Sequence, residues 1–203
     1  MTEQGYQTKK QPKQARAKAR VEKILTCSEN LLITKGPEAI STTSIAKTAN
    51  IPVGSIYQYF EGKDDILMQL YDGAYTDIEN SMSVALEETN LDRPFSEIIS
   101  DILHAFWKAA QLHPSFKLLT RWANSKRSLW ETTPGSDSSL GQLIKKTLLA
   151  SGAQIPSSKE TAILTTTVTI VSVMIDLAIE EKEEQKAAAI IEELVIVLSK
   201  YLG

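Results

Sequence analysis

The stretch Ser41–Lys63, STTSIAKTANIPVGSIYQYFEGK, decides the fold. Ser41, Thr42, Thr43 and Ser44 are all good N-cap residues, whose hydroxyls accept from the orphan N–H groups of a first helical turn. Ile45, Ala46 and Ala49 follow at helical spacing on one face, and the two alanines let another helix cross closely. Asn50 stands where the chain must turn. After Gly, Asn is the residue that best tolerates the left-handed conformation used at such corners. Ile51 is expected to pack the corner, and Pro52 is preset for the first positions of a new helix. The next segment, Val53 to Phe60, is predicted to be helical, burying Ile56 and Phe60 and leaving Val53, Ser55, Tyr57 and Tyr59 off that face. Two short helices at a sharp corner, the second one offered outward, make a helix-turn-helix suited to the major groove of DNA.

Charge points the same way. The formal net charge of −3 would not by itself suggest a nucleic-acid partner. Yet residues 1–63 carry ten Lys/Arg against five acids, and the remainder twelve against twenty. A basic head on an acidic body is the layout of a protein that touches DNA with one end.

The run of Thr42, Thr43, Ile45, Ala46, Ala49, Ile51, Gly54, Ser55, Ile56, Tyr57, Tyr59, Phe60, Lys63, Ile66 and Leu67 resembles the DNA-binding domain of TetR-family transcriptional regulators. Ile24, Leu25, Leu31, Leu32 and Gly36 fit that family's first helix, so the resemblance covers roughly residues 15 to 67. Asn50 departs from the usual Gly, a change its own left-handed tolerance makes harmless. The resemblance implies a phosphate-binding role for Lys63. It also implies a homodimer whose last two helices pair with their partners in a four-helix bundle.

The remaining chain is expected to be helical throughout, giving an all-α fold. Residues 1–14, polar and without periodicity, read as a disordered arm. Its Lys9, Lys10 and Lys13, with Arg16, Lys18 and Arg20, either follow phosphates or form a solvated leader. Residues 15–78 form the helix-turn-helix domain and 79–203 a larger helical domain for ligand binding and dimerisation, the boundary lying near Glu79. The first helix runs from Ala15 to Lys35 and is stopped by Gly36-Pro37. A long helix from Lys63 to Glu88 is the one continuous element across the boundary. Helices Phe95–Leu112, Ser115–Asn124, Leu140–Ala150, Ser157–Glu181 and Glu183–Leu202 follow, with a short piece at Leu129-Trp130 and a loop at Thr132–Ser139. The Thr- and Val-rich Ser157–Glu181 segment reads as strand on propensity. Its length without Gly or Pro makes it a helix.

Cys27, the single cysteine, excludes an internal disulfide and fits a reducing compartment. It reads as a buried structural thiol rather than a redox sensor. The N-terminus lacks the apolar segment of a secretory signal. The most apolar run, Ile163 to Ile179, is interrupted by four threonines, Ser172 and Asp176, and reads as too polar and slightly short for a membrane span. A soluble, cytoplasmic protein is expected.

In the reading segment Val53 is suited to a thymine methyl and Ser55 to a phosphate or base, and Gly54 allows close backbone approach. Tyr57 and Tyr59 offer hydroxyls to phosphates or pack partly against the first helix. Thr43 and Ser44 sit at a helix N-terminus, for phosphate contact, capping or both. Lys47 and Gln58 are candidates at the edge. In the body Phe106, Trp107, Phe116, Trp122, Trp130 and Met174 could line a small-molecule pocket or be ordinary core. Asp176, an acid within the most apolar helix, could oppose a cationic ligand, pair with Arg121 or face solvent. His104 and His113 have no neighbours at metal-ligand spacing, so no metal, cofactor or catalytic constellation is expected. Ile163, Ile170, Val171, Ile175 and Leu177, with Ile190, Ile191, Leu194, Val195, Val197 and Leu198, exceed what one side of a small domain needs. That excess supports dimerisation. The expected function is a regulator of transcription, most simply a repressor released from a palindromic double-stranded DNA operator by a small-molecule effector. The alternative is a DNA-binding regulator whose body serves only dimerisation or protein contact.

Overall fold

The computed structural model describes residues 11–126, 135–151 and 155–202, with side chains from residue 14 onward, and every regular element among them is helical. The chain divides into two compact units, residues 1–70 and 71–203, and each is described by itself. The division falls ahead of the boundary expected near Glu79, because the rings of Tyr71 and Tyr75 belong with Phe116 of the body.

In the head, α1 spans Gln11–Lys35. It enters the stretch expected to be a disordered arm, the rest of which lies outside the described residues. Ile24 and Leu32 are fully buried, and so is Ser28, whose hydroxyl donates to the Ile24 carbonyl at 2.7 Å and so needs no outside partner. Cys27 is only half-buried, not the fully buried thiol expected. Gly36 ends α1 at φ 78°, its N–H bonded to the Leu32 carbonyl at 2.9 Å. After a short 3-10 turn at Pro37–Ala39, α2 spans Thr42–Ala49. Ser41 caps it in a reciprocal box: the Ser44 N–H donates to Ser41 Oγ at 3.0 Å and the Ser41 N–H to Ser44 Oγ at 2.9 Å. Ile45, Ala46 and Ala49 are buried, as their spacing requires.

Asn50 takes the left-handed conformation, φ 50° and ψ 55°. Its N–H bonds to the Lys47 carbonyl and that of Ile51 to the Ala46 carbonyl, the crossed pair of a Schellman close. The reading segment differs from expectation. Val53–Gln58 is a 3-10 helix rather than an α-helix reaching Phe60, with i→i+3 bonds from Ser55 N–H to Pro52 and Tyr59 N–H to Ile56. Gly54 and the β-branched Val53 and Ile56 are poor α-helix formers, and so short a segment offers few bonds to override them. Ile56 and Phe60 still point inward, as their placement four apart intends.

Next, α3 spans Lys63–Glu88 and α4 Phe95–Leu112, with the bounds expected. The body continues with α5 (Phe116–Lys126), α6 (Ser139–Ala150), α7 (Glu160–Glu180) and α8 (Glu184–Leu202). The short piece at Leu129-Trp130 lies outside the described residues, as does most of the Thr132–Ser139 loop. Gly141 is required at the start of α6, where a Cβ would lie 2.2 Å from the Ser136 carbonyl oxygen. By length and hydropathy α7 is apolar enough to cross a membrane, against the expectation that it is too polar and slightly short. Here it is a core helix packed against α5, α6 and α8, burying Leu164, Val168, Val171, Ile175 and Ile179. Its threonines are reconciled with a helix by back-bonding. Thr167 donates to the Ile163 carbonyl and Thr169 to the Thr165 carbonyl, each at 2.8 Å.

The corner at Asn50 yields a test. Asn50→Gly should leave stability within a few tenths of a kcal/mol, and Asn50→Ala should cost about 1–2 kcal/mol. Chemical unfolding followed by circular dichroism measures both, and equal losses would mean that the Asn side chain matters more than its backbone conformation.

Candidate functional site

On the head, Val53 and Tyr57 are exposed large side chains, Tyr57 at 57%. Gly54, Gln58 and Thr43 are exposed beside them, and Ser55 and Tyr59 are half-buried. The Tyr57 hydroxyl lies 3.2 Å from Thr42 Oγ1, which ties the reading turn to the first turn of α2. Ser44 is spent inside the head. Its oxygen accepts from the Ser41 N–H and its hydroxyl donates to the Ala39 carbonyl at 2.8 Å, so capping takes the polar groups expected to meet phosphate. Lys63 opens α3 and is exposed, with Asp64 and Asp65 in the same turn. Asp65 accepts from the Glu61 N–H at 2.9 Å and already serves that helix start. Arg16, Lys18, Arg20 and Lys47 are exposed as well. Lys9 and Lys10 lie outside the described residues.

The body holds a cavity of about 20 Å³ among α3, α4, α5, α6 and α7. Phe106, Phe116 and Asp176, singled out from sequence, line it. Trp107, Trp122 and Met174 do not. Trp107 and Trp122 are buried, and Trp107 lies under the Lys117 ammonium at 5.2 Å. Sequence reasoning missed Tyr71, Tyr75 and Ser172, although Tyr71 and Tyr75 recur at i, i+4 on α3. The rings cluster on Phe116. Tyr71 is parallel to it and Phe106 meets it edge-on, both with centroids 6.4 Å away. A second cavity of about 30 Å³ has aliphatic walls with Thr147 and Thr167, both spent on their own helices.

Asp176 does not pair with Arg121. The Arg121 guanidinium donates to the Ile179 carbonyl at 2.8 Å and approaches the Glu180 carboxylate at 3.6 Å. Burial, reinforced by the charge of Glu180 and partly offset by the Asn124 amide, pushes the Asp176 carboxyl up to about 6. Burial, with Tyr71, Glu79 and Asp176 nearby, pushes the Tyr75 hydroxyl far above its ordinary value, so it stays neutral. Of the two histidines, His104 bonds Glu192 of α8 at 2.9 Å, and His113 lies 3.8 Å from Asp77.

The apolar residues of the last two helices separate into two sets. Val171, Ile175, Ile191, Leu194 and Leu198 are core. Leu177 (56%), Ile196, Val197 and Tyr201 are exposed, and Ile163, Ile170, Ile190 and Val195 are half-exposed.

Residues 24–70 match the family described as bacterial regulatory proteins, tetR family, and residues 94–202 match the tetracyclin repressor-like C-terminal domain. An uncharacterized HTH-type transcriptional regulator of Haemophilus influenzae is 28% identical over 94 residues, 46% of this chain and 49% of that protein. The chain thus spans about half the length of that relative. Among solved structures, a TetR-family transcriptional regulator from Streptomyces coelicolor superposes with TM-score 0.60 at 21% identity, over 90% of this chain and 96% of the other. RolR, solved with its ligand resorcinol, superposes with TM-score 0.66 at 14% identity, over 93% and 90%. At these identities the likeness is one of fold.

The raised Asp176 carboxyl has a signed consequence. The folded protein holds the proton to about pH 6 and the unfolded chain releases it near the ordinary 3.8, so stability falls as pH rises between those values. Asp176→Asn should therefore gain about 1–2 kcal/mol at neutral pH, allowing for solvent screening of a partly exposed group, and nothing below about pH 4. Melting temperatures across that range measure it, and a pH-independent difference would assign the effect to shape.

Proposed function

The chain belongs to the tetR family of bacterial transcriptional regulators, and from that footing we propose a dimeric repressor that a small-molecule effector releases from a palindromic operator. The observation that carries the DNA-reading part is the outward turn Val53–Gln58, anchored by the buried Ile56 and Phe60 and bordered by exposed cations. On this reading Val53, Gly54 and Ser55 approach base edges, while Tyr57, Tyr59, Thr43 and Lys63 hold phosphates. A segment this short makes few base contacts, so DNA shape contributes to specificity.

The exposed apolar set of α7 and α8 supports a two-fold dimer through these helices. Two-fold symmetry then sets the reading turns roughly 34–36 Å apart or a multiple of it. An effector in the body switches the dimer only through a difference in affinity between its DNA-competent and released states, and about 1–3 kcal/mol of coupling suffices. A regulator without an effector is the second reading, favoured by a cavity of about 20 Å³, which has room for about one water.

The test is fluorescence anisotropy on DNA from upstream of the gene itself, in a salt series, beside sedimentation of the same samples. Tight binding with a steep salt slope is expected. Lys63→Ala flattens that slope by about one unit, and Tyr57→Phe weakens binding at constant slope. Leu177→Glu with Val197→Glu sediments as a monomer and binds operator weakly. Binding equally strong on unrelated DNA overturns the operator reading, and a double variant that stays dimeric overturns the α7–α8 interface.

A further inference from the structure

Four aromatic rings and one carboxylate share the body's polar cavity. Tyr71, Tyr75 and Phe116 form a triangle of rings with centroids 6.0–6.4 Å apart, and Phe106 closes one side. Against this apolar wall α7 presents Ser172 and Asp176, one turn apart and so on one face. Ser172 Oγ is buried and has no hydrogen-bond partner among the described residues. Asp176, which is partly buried and accepts from the Asn124 amide, has no counter-ion there. No Lys, Arg or His lies within 4.0 Å of it among the described residues, and the nearest basic side chain named in this region, Arg121, is engaged by Ile179 and Glu180.

A buried carboxylate without a counter-ion is costly unless something offsets it. An unpaired hydroxyl beside it adds to that cost. Aromatic faces are negative at their centres and attract a cation within about 6 Å. No other charge class satisfies this set of groups. An anion would face Asp176 and, behind Tyr75, Glu79, whose carboxyl burial also raises while the Ser139 hydroxyl donates to it at 2.8 Å. A neutral aromatic would fill the wall and leave Asp176 unpaired.

We propose that the effector is an organic cation, an ammonium carried on an apolar or aromatic body, held between the rings of Tyr71, Tyr75 and Phe116 with its charge opposite Asp176. This rests on the reading of the body as an effector-binding domain. The cavity of about 20 Å³ is too small for such a cation as it stands, so the cation enters by parting the rings. Entry replaces ring–ring contacts with cation–ring ones and supplies the carboxylate's missing counter-ion. The conformation that admits the ligand therefore differs from the one that excludes it. That difference gives the ligand a basis for preferring one state.

The experiment uses the full chain and three probes of one shape or size class: benzyltrimethylammonium, its uncharged isostere neopentylbenzene, and benzenesulfonate. Thermal shift and equilibrium dialysis read their binding, and anisotropy on the operator reads their effect on DNA affinity. The cation should bind the wild type about tenfold or more tightly than the isostere. Asp176→Asn should erase that preference while leaving neopentylbenzene unaffected, and Tyr71→Leu should weaken the cation with melting temperature near that of the wild type. Equal binding of cation and isostere, preference for the sulfonate, no cation binding at millimolar concentration, or an unchanged cation affinity in Asp176→Asn each overturns the ligand class. The broader reading fails separately. If the isostere or sulfonate loosens the operator complex, the effector-responsive regulator stands and only its ligand's charge is wrong, whereas no effect from any of the three alongside no binding counts against both.

Discussion

The head depends on one backbone conformation, the left-handed residue at position 50. With Asn50 at φ 50°, the Ala46 and Lys47 carbonyls are both satisfied at the end of α2, and the chain reverses within two residues. That reversal lets Ile56 and Phe60 reach the core that Ile45, Ala46 and Ala49 share with α1, while Val53 and Tyr57 remain outside. An unstrained corner of fixed geometry is what a reading surface needs, because base contacts tolerate little displacement. The Tyr57–Thr42 hydroxyl pair ties the reading turn back to the start of α2, which the Ser41–Ser44 box caps.

The body is governed by the opposite kind of constraint, a residue that fits poorly. In α7 nearly every inward position is aliphatic, or a threonine whose hydroxyl is returned to its own helix. Asp176 has no such internal solution, since a carboxylate accepts but cannot donate back to a carbonyl. Burial raises its proton affinity, since the fold gives the carboxylate no cation among the described residues in place of the water it loses. Sites that give up stability in this way are where binding is to be sought.

The apolar surplus of α7 and α8 belongs to the same economy of surface. The core takes one stripe of each helix, and what remains is a second stripe with Leu177, Ile196, Val197 and Tyr201 in the open. Apolar side chains left in the open on two adjacent helices are what the proposed two-fold dimer would cover.

Much of this was legible in the sequence, because local rules wrote it. Capping hydroxyls, the corner Asn, Gly36 and the four-residue apolar spacing depend on neighbours along the chain, and they fixed the all-α class, the corner and the bounds of α3 and α4. The 3-10 character of Val53–Gln58 was less visible, since it turns on a balance between poor helix formers and the burial of Ile56. The fate of Ser44 was open until Ala39 was placed beside it. The cavity was legible only in part: Phe106, Phe116 and Asp176 stood out as candidates, but Tyr71, Tyr75 and Ser172 did not. Tyr71, Tyr75, Phe116, Ser172 and Asp176 come from three helices spread over a hundred residues, and each alone reads as core or surface. Only packing brings an unpaired carboxylate against aromatic faces, because the contacts that define the site are long-range and no local periodicity records them.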